Sequence, residues 1–310
     1  MKTTDCIEFR KQRELGQIIG DTFKFLRKNT KGLFKVFARV ALLPFIFLIG
    51  AVAYYTYSVA GSNPLLDFGQ GNIDLGGMII SVILLLIAVM VYTGVLYGLV
   101  SEYIKSYSDT NGNPDLDAVV QAMKDRFTNY ILLSFAQTLG LAGIAVVCVL
   151  PGVFVMSSTP VLGVFLILAA FVPIVYIAVR WTTVFSSMTH SGNTVMGSFQ
   201  ESVRLIKDHW WITLFTIFIQ ALLMYVISFV FQLPLVFYTI FKMFTMIQES
   251  SLSDPSMVFD GVYVVLQTLA SAVSYMLYII MAITLNLIYF NLHERKTQRG
   301  SLDAIDSIGQ

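Results

Sequence analysis

Six unbroken apolar runs dominate the chain, joined by polar stretches in which an apolar residue recurs every third or fourth position. The runs are Val40–Ala60, Gly76–Val100, Tyr130–Met156, Val161–Val179, Trp210–Tyr238 and Val262–Phe290. Each is close to or above the roughly 20 residues a helix needs to cross a bilayer core. Segments such as SVILLLIAVMV (81–91) argue against a β-barrel, whose strands alternate apolar and polar positions. The pattern predicts an all-α integral membrane protein with six transmembrane helices.

The stretch NTVMGSFQESVRLIKDHWWITLFTIFIQ (193–220) joins an amphipathic helix to a span. Phe199, Val203, Ile206 and Trp210 share one helical face, and Glu201, Arg204, Lys207 and Asp208 take the rest. Asn193 can cap the start, and Trp210 and Trp211 stand where aromatic rings prefer the headgroup level. Residues 114–130 repeat the arrangement, with Pro114 in a first turn, acids Asp115 and Asp117 at the positive end of the dipole, and an apolar line Val119, Met123, Phe127 and Tyr130. A third copy covers 16–37, with Ile19, Phe23, Leu26 and Phe34 among basic residues. The expectation is three cytoplasmic amphipathic surface helices and a threefold internal repeat of a surface helix plus two spans. The units would be 12–104, 114–185 and 193–292 of a single transmembrane domain, followed by a tail at 293–310. The plainer alternative is that any membrane protein needs basic amphipathic junctions. Mitochondrial carriers share a three-unit, six-span plan, but their Pro-x-acid-x-x-base signature is missing from the ends of the odd spans here.

Composition agrees with this reading. The chain is 56% hydrophobic and 13% charged, against about a quarter charged in soluble domains. Charge distribution then orients it. Nineteen of the 20 lysines and arginines fall in the N-terminal segment, in the connections that follow spans two and four, and in the C-terminal tail. Only Lys242 falls on the other side, with Asp67, Asp74, Glu249, Asp254 and Asp260. By the positive-inside rule both termini are expected in the cytoplasm. The first 39 residues lack the apolar core of a signal peptide. Cys6 and Cys148 are placed to remain free thiols. Residues 61–77, rich in glycine, predict an irregular outer connection, and SSTP (157–160) a tight hairpin. Phe237, Ile240, Phe241, Phe244 and Ile247 predict a short helix on the outer interface.

The run GSFQESVRLIKDHWWITLFTIFI resembles the surface-helix-into-span element of bacterial membrane domains related to the glycerophosphoryl diester phosphodiesterase membrane domain, at Ser202, Arg204, Leu205, Lys207 and Trp210. The start EFRKQRELGQIIGDTFKFLRKN and the ending YFNLHERKTQRGSLDAIDSIG are similar to uncharacterised Bacteroidota membrane proteins of this kind. The resemblance implies an architecture and the bacterial cytoplasmic (inner) membrane. It supplies no catalytic residues, and no phosphodiesterase domain is expected beyond Gln310.

Candidate chemistry is sparse. Lys24, Arg27, Lys28, Lys31, Lys35 and Arg39, with Lys124, Arg126, Arg204 and Lys207, suit anionic membrane lipids at about 1 kcal/mol each. Nucleic acid is not an expected partner, because the charge tracks span ends. Arg180 ends the fourth span, as a cytoplasmic-edge anchor or a lipid or substrate contact. Gln137, Gln220, Gln232 and Asn286 either bond between helices or line a cavity. Pro44, Pro151, Pro173 and Pro234 lie within spans and should kink them. Gly94 and Gly98, and similarly Ala270 and Ser274, allow close helix approach, within the chain or in a homo-oligomer. His190, His209 and His293 lack ligand spacing, and no HExxH, GxSxG or P-loop occurs, so neither metal, cofactor nor enzyme activity is expected. The sequence suggests a scaffold or accessory subunit that binds anionic lipid or a membrane-protein partner, with a transporter or lipid-handling permease as the alternative.

Overall fold

The computed structural model describes residues 7–59, 75–248 and 259–297. The irregular connection expected at 61–77 and Cys6 therefore fall largely or wholly outside the described residues. Those residues form ten α-helices and no strand: α1 (Leu15–Val40), α2 (Leu42–Val59), α3 (Leu75–Asp109), α4 (Leu116–Asp125), α5 (Phe127–Met156), α6 (Pro160–Arg180), α7 (Val184–Ser191), α8 (Val195–Ile206), α9 (Trp210–Gln248) and α10 (Gly261–Thr297). Six stretches are long and apolar enough to cross a membrane: α2, α3, α5, α6 together with α7, α9 and α10. They match the six apolar runs.

Local chemistry explains the helix ends. Pro44 has no amide proton and its ring would crowd the carbonyl of Val40, so α1 stops there and α2 restarts with Pro44 in its first turn. At α4 the cap is Asp115, whose carboxylate accepts from the amides of Asp117 (3.0 Å) and Ala118 (3.3 Å). Pro114 therefore precedes the cap instead of entering the first turn. At α8 the cap is Thr194, accepting from the Gly197 amide at 3.2 Å. Asn193, the expected cap, instead donates to Glu201 and to Ser187. The outer segment around Phe237–Phe244 is no separate interfacial helix; α9 runs unbroken through Pro234 to Gln248.

The chain divides into two compact units. The first holds residues 1–40, 93–220 and 280–310, and with them every described lysine and arginine except Lys242. Its centre is aromatic: Phe25 of α1 meets Tyr103 and Tyr107 edge-on, and Phe9 packs on Phe25, Tyr107 and Phe290. The N-terminal segment is pinned to α10, the Arg13 amide donating to Asn291 at 2.7 Å and Arg295 to the Arg13 carbonyl at 3.1 Å. The α5–α6 hairpin closes tightly because Gly152 faces Gly163; a Cβ on Gly163 would lie 2.6 Å from Met156.

The second unit holds residues 41–92 and 221–279. Phe45 packs on Tyr92, whose hydroxyl donates to the Tyr275 carbonyl at 3.0 Å. Ser228 and Ser274 meet at 2.5 Å, the small face expected at Ala270 and Ser274. Just before α10, Asp260 accepts from Tyr238 (2.5 Å) and Lys242 (2.9 Å). Those bonds, with the Tyr263 amide, hold its carboxyl well below the usual range.

Candidate functional site

Helix α1 presents three arcs. Ile18, Thr22, Phe25, Asn29, Leu33 and Val36 are buried in the first unit. Ile19, Phe23 and Leu26 are half-buried beside them, and Phe34 is 59% exposed. Lys24, Arg27, Lys28, Lys31, Lys35 and Arg39 occupy the remaining arc and are all exposed. The buried face is thus rotated from the apolar line Ile19–Phe23–Leu26–Phe34 expected to lie on a membrane; that line forms a shoulder between protein and cations. Arg39 pairs with Asp117 at 2.6 Å, linking α1 to α4. Among the described residues Lys24, Arg27, Lys31 and Lys35 have no carboxylate partner. On the other two amphipathic helices, Lys124, Arg204 and Lys207 are exposed and Arg126 reaches Glu102 at 3.5 Å.

The polar residues singled out within the spans separate into partnered and unpartnered groups. Gln137 donates to the Trp181 carbonyl at 3.1 Å. Asn286 donates to Ser101 at 3.1 Å and faces His190 Nε2 at 3.0 Å. Gln232 donates to Ser228 at 3.3 Å. Gln220 is wholly buried and neither of its amide atoms has a partner among the described residues. Gly94 and Gly98 let α3 approach α5 within the chain: an added Cβ would stand 2.8 Å from the Tyr130 carbonyl or 2.6 Å from its ring.

Sequence reasoning missed a buried hydrogen-bonded ring in the first unit. The Tyr130 hydroxyl joins Glu102 Oε1 and Thr189 Oγ1, each at 2.7 Å. The next residues along, Ser101 and His190, are joined through Asn286. Helix α7, not expected as an element, carries Thr189 and His190 into this interior. Beside it Glu201 accepts from Ser187 and Ser191, both at 3.0 Å, and Ser191 meets Tyr289 at 2.8 Å. The one available signal was compositional: an acid just past an apolar run (Glu102) and a hydroxyl-rich stretch, TTVFSSMTHSGNT (182–194). Every polar group named in the ring has a partner, so its geometry is that of an internal clamp.

A groove of about 530 Å³ opens where α6 ends and α9 begins. Val172 and Tyr176 line it from α6, Lys207, Asp208 and His209 from the turn after α8, and Trp210–Ile212 from α9. Trp210 Nε1 donates to the Tyr176 carbonyl at 3.2 Å, and Arg180 lies over the Tyr176 ring with its Nε buried and unpartnered. Asp208 pairs with Lys296 at 3.5 Å. Burial, and then the Arg295 charge, lower the His209 pKa. Among the described residues Lys207 is left as the unpaired charge of the groove.

Comparison with protein families, curated proteins and solved structures gives no match. Function must therefore come from the geometry. The six apolar helices make the chain a multi-pass helical membrane protein. The histidines occupy separate settings: His190 in the clamp, His209 in the groove and His293 against Tyr289.

Proposed function

We propose that the protein is a non-enzymatic scaffold or accessory subunit of a bacterial cytoplasmic membrane complex, and that its basic helical faces hold anionic lipid or a membrane partner. The observation that carries this reading is the division of α1 into a buried arc, an apolar shoulder and a cationic arc. Because the buried arc is packed against Tyr103 and Tyr107, the cations are held on a rigid element. A helix with these three faces suits the headgroup boundary of an anionic leaflet. The helix order supports the threefold plan, since α1, α4 and α8 each precede two long helices. It also agrees with the resemblance to the surface-helix-into-span element. With basic residues inside, both termini are cytoplasmic.

The test is purification from the native membrane in mild detergent, with identification of bound lipids and proteins. The wild type is expected to be enriched in anionic phospholipid and K24Q/R27Q/K31Q/K35Q to carry less of it, at about 1 kcal/mol per charge removed. Equal enrichment in both would overturn the lipid reading. One observation favours a second reading, transport or lipid handling: the buried, unpartnered amide of Gln220. That reading requires substitutions at Gln137, Gln220 and Asn286 to abolish a flux across reconstituted vesicles.

A further inference from the structure

The groove between α6 and α9 has walls of two kinds. Val172 is 72% exposed and Ile212 is 44% exposed; both belong to membrane-spanning helices, so their open sides face acyl chains. At the other end stand Lys207 and the first turn of α9, whose amide protons have no acceptor within the helix. Trp210 and Trp211 mark the level between the two, where indole rings prefer the headgroup region. The Trp210–Tyr176 bond ties both helices together, so the groove is fixed before anything enters it. Asp208 is matched by Lys296, and the local charge is therefore positive. An occupant complementary to these walls is apolar along one half, anionic at the other and resident in the bilayer.

We propose that this groove holds one anionic phospholipid, with its phosphate on Lys207 and an acyl chain along Val172 and Ile212. The inference deepens the lipid-binding reading above and rests on it, but it locates a discrete site on residues other than those of α1. It also gives Trp211, 66% exposed, a place against lipid.

Native mass spectrometry of the full chain in detergent tests it, with phosphatidylglycerol, phosphatidylcholine and inorganic phosphate as probes. One tightly retained phosphatidylglycerol is expected, with phosphatidylcholine and phosphate bound more weakly. K207Q should weaken that binding about fivefold, the worth of one charge at the surface. K207R should retain it, and the α1 variant K24Q/R27Q/K31Q/K35Q should leave this one lipid in place. Equal binding of phosphatidylcholine, or K207Q binding like the wild type, overturns the proposal. If only the α1 variant loses lipid, the groove fails while the α1 reading stands; if neither variant loses it, both fail.

Discussion

A buried polar side chain in this protein is informative according to whether it is matched. Glu102 is 4% exposed, and its carboxylate depends on the Tyr130 hydroxyl at 2.7 Å and the more distant Arg126. Tyr130→Phe removes that donor and should destabilise the protein by about 1–3 kcal/mol, read as a lower Tm in the same detergent. Gln220 presents the opposite case. Its amide is already unmatched, so Gln220→Met, which conserves volume, should leave the Tm unchanged or raise it. A fall in Tm would mean that the amide has a polar companion. Asp260 adds a pH dependence. Its folded pKa is depressed, so its contribution is complete above the unfolded carboxylate value of about 3.9 and is lost as the pH falls below that. The Tm difference between wild type and Asp260→Asn should hold constant from pH 7 to pH 5 and shrink in more acidic buffer. Gln137, Gln220 and Asn286 could be picked out in the sequence because a polar residue inside an apolar run is conspicuous. Glu102 was marked only by its place just past an apolar run, and its partner Tyr130, 28 positions away, could not be read from the sequence.

Among the helices, the spans were legible and their boundaries less so. Length and hydropathy specify a membrane crossing, whereas the breaks at Ala41, Arg126 and Lys207 to His209 depend on local backbone chemistry and on packing. The amphipathic faces show the same division. A periodic apolar line locates a helix, but which side of a wide apolar arc is buried depends on neighbours such as Tyr103 and Tyr107. That is why α1 is rotated from the line Ile19–Phe34, and why α8 buries Ser198 and Ser202 along with Leu205. Two glycines on neighbouring spans make the packing testable. An alanine Cβ at Gly98 would stand 2.6 Å from the Tyr130 ring, which hydrogen bonds hold in place, so Gly98→Ala should cost about 1–3 kcal/mol. Nothing lies within 4 Å of the corresponding point at Gly143 in α5. Gly143→Ala should therefore stabilise by about 0.5–1 kcal/mol through helix propensity alone. Denaturant titration of the two variants in one detergent checks both signs.

At the scale of the whole molecule the decisive property is which face of the membrane carries the cations. Residues 7–13 and the end of α10 are hydrogen-bonded to each other, so both ends of the described chain emerge at the same end of the first unit, as six crossings require. The positive-inside rule predicts that this end faces the cytoplasm. With Cys6 and Cys148 first replaced by alanine, a single cysteine at Lys31 or at Ser253 can be labelled in intact cells with a membrane-impermeant maleimide. Ser253→Cys should label from outside, and Lys31→Cys only after the membrane is opened. The reverse pattern would turn the basic arc of α1 and the Lys207 groove toward the outer leaflet. Both proposed lipid sites would then lack the anionic cytoplasmic surface that their charge is suited to meet.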